Sequence, residues 1–452
     1  MDLRQSQLFL DDEVIEEALR LGRCVHQPQK MPEPVLRPDR PWESTAVLLW
    51  GSVIWDDDQN IFKMWYQTYA KLPPPENTYV CYATSADGLH WDKPVVGDIE
   101  YRGTRENNIV LDTTNLLDSP TVLCDPADTG DRRYKMLFFE RGTGGDRPRG
   151  LYAAFSADGV HWRKQQTPVA PGVGDRTNVM FDPSTGRYVA FTRGPEMMLR
   201  YRSRCVYRSE SEDFVNWSAP ELVLRPDLAD GPDVQFYSMA AFRHESVYVG
   251  LVEMLYSTPD VLDIHLAVSR DAREWRRVEP RVPFLARGPE GTWQGAWVNL
   301  SANPPIRVRD RLWWYFTGRN SAHRQQWPHP YAAIGAATLR PDRMVSIAAG
   351  STEGRLLTRP FVWPGGRLEV NASTHQSPHI AAGAIRVEVL DESGAVVPGF
   401  SRDEATPLTG DDLAFAPTWA SGKEMRQAAG KRIRLAFYPQ SARIFSFRAA
   451  VQ

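Results

Sequence analysis

The sequence predicts an all-β chain, a five-bladed β-propeller followed by a C-terminal β-sandwich, and three observations carry that prediction. Four hairpins share one turn motif, a strand pair of constant pattern recurs five times, and the C-terminal region alternates apolar and polar residues at period two. Composition agrees, with 18 Phe, 15 Trp and 16 Tyr beside 35 Pro and 32 Gly in 452 residues. So many flat side chains among so many turn formers suit short strands and tight turns rather than a helical bundle.

The turn motif is Ser-x-Asp-x-x-x-Trp, found at Ser85–Trp91, Ser156–Trp162, Ser211–Trp217 and Ser269–Trp275, each after a strand-like run. The Asp side chain can bond the turn's own backbone, and a following Gly can take positive φ. Trp91, Trp162, Trp217 and Trp275 then begin the next strand. Upstream lies a first strand, an acidic or polar turn, and an aromatic second strand. These pairs are Gly51–Asp56 before Phe62–Tyr66, Thr121–Asp125 before Tyr134–Phe139, Thr177–Asp182 before Arg187–Phe191, Ser238–Phe242 before Val247–Leu251, and Ile306–Asp310 before Leu312–Phe316. Five copies of a four-stranded meander read as five blades. Residues 1–349 form the expected propeller, with 1–40 as an N-terminal rim segment whose acidic stretch Asp12–Leu21 reads as a helix. The texture changes at Gly350, and 350–452 is the expected sandwich domain, an accessory that braces the propeller, with Trp363 and Trp419 either packed or at its surface.

Charge and motifs exclude several function classes. Lys and Arg number 53 against 56 Asp and Glu, a net charge of −3 without long basic runs, which argues against nucleic acid. No stretch reaches the roughly 18 apolar residues of a membrane span. Acids stand where a signal peptide would have its apolar core, so a cytoplasmic location is expected. Cys24, Cys81, Cys124 and Cys205 are scattered without CxxC pairing and read as buried thiols. No Walker loop, Gly-x-Ser-x-Gly or dinucleotide fingerprint occurs, and no His pair has ligand spacing. No cofactor is required on this reading, although a calcium ion in the central channel would need only oxygen ligands. The oligomeric state leaves no mark in the sequence.

The Ser-x-Asp-Gly-x-x-Trp hairpins, the five blades and the C-terminal sandwich together resemble the five-bladed-propeller glycoside hydrolases. That group includes the inverting arabinanases and xylosidases and the retaining invertases, levanases and fructosidases, and the sandwich is most similar to that of the invertases. The Asn-Asp-Pro-Asn-Gly and Arg-Asp-Pro motifs of the invertases are absent, and fold alone does not assign an activity. The resemblance implies cleavage of a glycosidic bond in a di- or oligosaccharide or glycoside by paired carboxylates at the propeller mouth.

In a propeller the starts of first strands and the ends of second strands meet at that mouth. First-strand starts hold Asp118, Asp175 and Asp233, and second-strand ends hold Gln67, Glu140, Arg193, Glu253 and Arg319. One carboxyl must protonate the leaving oxygen while another acts as base or nucleophile, so Asp118, Asp175, Asp233 and Glu253 are the catalytic candidates. Glu253 ends an apolar run, which tends to raise a carboxyl pKa as a general acid needs. Its alternative is a pair with Arg on a neighbouring blade. Substrate contacts are expected from Trp42, Glu43, Trp50, Trp293 and Gln294, with Trp297 and Trp327 as further rings near the mouth, while Trp55, Trp65, Trp313 and Trp314 pack between blades. Arg176, Arg193, Arg319 and His323 form a cationic set suited to carboxylates, sugar hydroxyls or phosphate. Two competing functions therefore stand beside the hydrolase: a phosphorylase binding phosphate through Arg193, Arg319 and His323, and a propeller that binds sugar without turnover.

Overall fold

The Ser-x-Asp turns close their hairpins as their chemistry requires. In the computed structural model, which describes residues 2–68, 78–112, 116–125, 128, 130–142, 148–171, 173–193, 203–322, 331–375 and 382–451, the Ser85 hydroxyl accepts the Gly88 N–H at 2.9 Å. The Asp87 carboxylate accepts the N–H groups of Leu89 and His90, each at 2.8 Å, and the Trp91 indole donates to the Gly88 carbonyl at 3.2 Å. The same bonds recur at Asp158 and Asp213, and Asp271 accepts the corresponding pair of N–H groups. The residue after each Asp has positive φ, 78° at Gly88 and 82° at Gly159, and also 67° at Phe214 and 58° at Ala272. The side-chain bonds thus hold the turn even where no glycine eases it.

Five antiparallel meanders follow from these hairpins. Blade 1 is Val47–Asp56, Ile61–Thr68, Tyr79–Ser85 and Ile109–Asp112; blade 2 is Leu117–Cys124, Tyr134–Glu140 and Gly150–Ser156, edged by Arg163–Lys164 and Ala170–Pro171. Blade 3 is Thr177–Asp182, Arg187–Arg193, Val206–Ser211 and Glu221–Leu224, and blade 4 is Val234–His244, Val247–Tyr256, Val261–Ser269 and Trp275–Arg277. Blade 5 takes Trp297–Leu300, Arg311–Arg319 and Ala332–Leu339 and is completed by Gln29–Lys30 from near the N-terminus. Apolar clusters fill every junction around the ring. Trp65 and Tyr82 meet Phe138 and Tyr152, Phe139 and Phe155 meet Tyr188, Phe191 meets Phe236 and Tyr248, Leu255 meets Trp297, and Tyr315 returns to Phe62. Each such ring, fully buried, contributes roughly 2–3 kcal/mol.

Polar ties run alongside. The acid ending an inner strand accepts the hydroxyl of a tyrosine on the next blade: Asp56 from Tyr134 at 3.1 Å, Asp125 from Tyr188, and Asp182 from Tyr248 at 2.7 Å. Lys63 and Lys135 neutralise Asp56 and Asp125 at 2.7 and 3.2 Å.

The N-terminal segment departs from its expected place. Asp12–Leu21 is no rim helix: Ile15–Leu19 is a strand paired with Arg355–Thr358, burying Val14 and Ile15 while Glu16 and Glu17 pair with Arg434 and Arg355. Gln7–Leu8 and Gly22–Val25 likewise join the other sandwich sheet, against Ala442–Ala450 and Val345–Ala349. The two sheets therefore cross the boundary expected at 349/350. They do so because Phe9, Val14 and Ile15 complete the apolar core around Trp363, Phe437 and Phe447, and an acidic run can be a strand when its acids face cross-strand arginines. Trp363 and Trp419 are packed, the latter donating to the Val387 carbonyl at 3.0 Å. All four cysteines are free, with Cys81 and Cys205 buried; Cys24 and Cys124 are only half-buried, because each lies on a strand near a sheet margin. Among the described residues no helix is long and apolar enough to cross a membrane.

Closure of blade 5 places Lys30 over the Phe316 ring, with its ammonium donating to the Ala286 carbonyl and to Gln294 at 2.7 Å. Burial pushes its pKa down to about 8 against the attraction of Asp263. The folded chain then releases this proton well below the pH at which the unfolded chain does. Stability should consequently rise between about pH 8 and 10.5, by at most about 3 kcal/mol. Urea unfolding across that range should show the rise in the native chain and its loss in Lys30→Met.

Candidate functional site

The mouth is built where inner strands start. At the beginning of blade 2 the ladder slips between Leu137 and Phe139, and Ser119 adopts φ of 53°, which turns the Asp118 side chain out of the regular pleat. Gln67, fully buried at the end of blade 1's second strand, holds this kink. Its amide donates to the Leu117 carbonyl at 3.0 Å and to the Asp118 carboxylate at 3.3 Å, and its carbonyl accepts the Ser119 N–H at 3.1 Å. Burial pushes the Asp118 pKa up to about 6, against the pull of Gln67 and of the guanidinium groups of Arg176, Arg193 and Arg141. No ion pair engages Asp118 among the described residues.

Arg176 enters from blade 3, only 1% exposed. It donates to the Ser119 hydroxyl at 3.0 Å, grips both oxygens of Glu253 at 2.5 and 3.3 Å, and lies 5.0 Å from the centre of the Trp50 ring. Asp175 beside it pairs with Arg193, which is itself buried over the Tyr237 ring at 5.2 Å. Burial lowers the Arg193 pKa, the first of several causes, with repulsion from Arg204 and Arg149 adding to it. The structure therefore brings Asp118, Asp175, Arg176, Arg193, Glu253 and Trp50 together.

Other expected site residues lie elsewhere. Glu253 lies within the strand Val247–Tyr256 rather than at its end, and its charge is met by the Arg176 fork, so the apolar surroundings do not leave a free acid. Asp233 accepts the Thr258 N–H at 3.1 Å and braces a blade 4 turn, the ordinary use of Asp at a strand start. Trp42 and Glu43 are not mouth contacts. The Trp42 indole donates to Asn108, Asn108 to the Tyr66 hydroxyl, and Tyr66 to Glu43 at 2.6 Å, while Lys93 completes this buried network at 2.8 Å. Trp293 stacks on Phe316, with ring centres 5.7 Å apart, above Gly318 and Gly335, and Gln294 receives Lys30; both secure blade 5. Arg319 lies over Trp297, which is fully buried and donates to the Asp260 carbonyl, so that ring packs rather than stacks on a ligand. Glu140 pairs with Lys164. His323 and Trp327 lie outside the described residues. Ser119, Tyr237 and Arg204 join the mouth without having been singled out. Ser119 stands beside Asp118 and Tyr237 in a first strand, but no sequence signal marks Arg204. Among the described residues no group of three His, Cys, Asp or Glu could hold a metal ion.

Neither a family profile nor a curated protein matches the sequence. Solved structures do. A glycosyl hydrolase from Bacteroides ovatus is similar with a TM-score of 0.51 at 14% identity, over 71% of this chain and 95% of its own. A β-1,2-mannobiose phosphorylase from Listeria innocua, in complex with β-1,2-mannobiose, aligns with a TM-score of 0.50 at 13% identity, over 70% of this chain and 97% of its own. The likeness is one of fold. Both proteins are matched along nearly their whole length, while more than a quarter of this chain has no counterpart in them.

Removing one partner of the buried Arg176–Glu253 pair strands the other charge. Glu253→Gln should cost about 3–5 kcal/mol in urea unfolding, and the double change Arg176→Met with Glu253→Leu should recover most of that loss.

Proposed function

We propose that the chain is a carbohydrate-active enzyme that hydrolyses a glycosidic bond, with Asp118 as proton donor to the leaving oxygen and Asp175 as the second carboxylate. The observation that carries this is the state of Asp118. It is a half-buried carboxyl beside three guanidinium groups, with Gln67 as its hydrogen-bond donor and a pKa that desolvation pushes up to about 6. A carboxyl that keeps its proton toward neutrality suits general-acid work, while a second carboxylate acts as base or nucleophile. Asp175, whose charge Arg193 balances, suits that second role. Glu253 is assigned to positioning, since it orients the Arg176 that binds Ser119. The carboxylates of this chain, not the names of its structural neighbours, support the assignment.

A phosphorylase remains the second reading, favoured by the arginines that gather round Asp118. It would hold inorganic phosphate on Arg193, beside Arg176 and Arg141. Product release that requires inorganic phosphate would select it over hydrolysis.

Asp118→Asn should lower kcat on a cleaved glycoside by about 10²–10⁴-fold, with the melting temperature nearly unchanged. Because the acid must be protonated to act, kcat/KM of the native chain should fall as pH rises through about 6. That limb should vanish in the variant. Full activity in Asp118→Asn would remove it from the mechanism.

A further inference from the structure

Among the described residues the mouth carries more positive charge than its acids balance. Arg141, Arg176 and Arg193 act on Asp118, and Arg149 and Arg204 act on Arg193. The acids described among them are Asp118, Asp175 and Glu253, of which Asp175 is paired with Arg193 and Glu253 with Arg176. Arg204 has no acid partner among the described residues. One of its amino groups donates to the Gln235 side-chain oxygen at 2.6 Å, and its Nε is buried without a partner among the described residues. The Nε of Arg193, a residue only 6% exposed, is likewise unpartnered.

Both guanidinium groups lie over one ring. Arg193 and Arg204 sit 5.2 and 5.1 Å from the centre of Tyr237, which meets Trp297 edge-on at 5.1 Å. Cation–π contact offsets part of the cost of holding two like charges together, but among the described residues their buried Nε–H groups have no acceptor. A planar anion would supply it, since a guanidinium fork matches a carboxylate with two parallel hydrogen bonds. Tyr237 and Trp50 are buried beneath the mouth's guanidinium groups and hold them in place.

We infer that the mouth takes a substrate that is itself an anion: a glycoside of a uronic acid, its carboxylate seated on Arg204 and Arg193 beside Tyr237 and its glycosidic oxygen toward Asp118. This assignment rests on the glycosidase reading of the same mouth. It adds the substrate's charge and names Arg204 as the residue that selects for it.

The test is calorimetric titration of the full-length Asp118→Asn chain with glucuronic and galacturonic acids, with glucose and galactose, and with inorganic phosphate. The acids should bind at least tenfold more tightly than their neutral counterparts. That preference should disappear in Arg204→Gln on the same background, and Arg204→Lys, which keeps the charge but loses the fork, should retain only part of it. Equal affinity for acid and neutral sugar, or no binding of either, would overturn the inference. Binding of phosphate without any preference between the sugars would also overturn it, assigning the arginines to phosphate instead. A uronic-acid preference in a chain whose native form cleaves no glycoside would remove the hydrolase proposal and leave this one standing.

Discussion

One buried guanidinium joins four of the five blades. Arg176 projects from blade 3, bonds Ser119 of blade 2, grips Glu253 of blade 4 and lies over Trp50 of blade 1. A lone charge at that depth would be untenable, and Glu253 makes it tolerable by meeting it with both oxygens. The consequence reaches Asp118, whose kinked backbone is held from one side by Gln67 and at its neighbour Ser119 by Arg176. Asp118 thus stays near positive charge without an ion pair among the described residues.

The ring that brings these residues together is held by repeated chemistry. Aromatic clusters fill each junction, and the Asp-to-Tyr bonds repeat between the first four blades. Blade 5 is different: a strand from the N-terminal segment completes it, and the residues preceding that strand belong to the sandwich. Leu8 and Leu10 share a cluster with Trp297, Trp314 and Met344, so the sandwich and the closing blade pack against one another. The N-terminal strands thus tie the sandwich sheets to blade 5.

Local chemistry was legible where residues act on their own neighbours. Ser85, Asp87 and Trp91 bond within a single turn, and that turn could be recognised four times without knowing what it faces. Asp118 and Asp175 were legible as strand starts. Partners were not. Glu43 next to Trp42 looked like a sugar contact, yet Tyr66, Asn108 and Lys93 enclose both, and those residues lie far off along the chain. The acidic stretch Asp12–Leu21 looked helical because the arginines that make it a strand, Arg355 and Arg434, are hundreds of residues away.

The sequence by itself determined the all-β class and the repeated hairpins. Periodicity and turn chemistry are short-range properties, and each repeat states them again. Only the tertiary structure decided which acids are engaged by partners. Glu253 is paired with Arg176, Asp233 is used by a turn, and Glu43 is enclosed in a network, whereas Asp118 has no ion pair among the described residues. A carboxyl's reactivity depends on burial and on the charges within a few ångströms of it. In a propeller those charges come from other blades, and their arrangement exists only once the ring has closed.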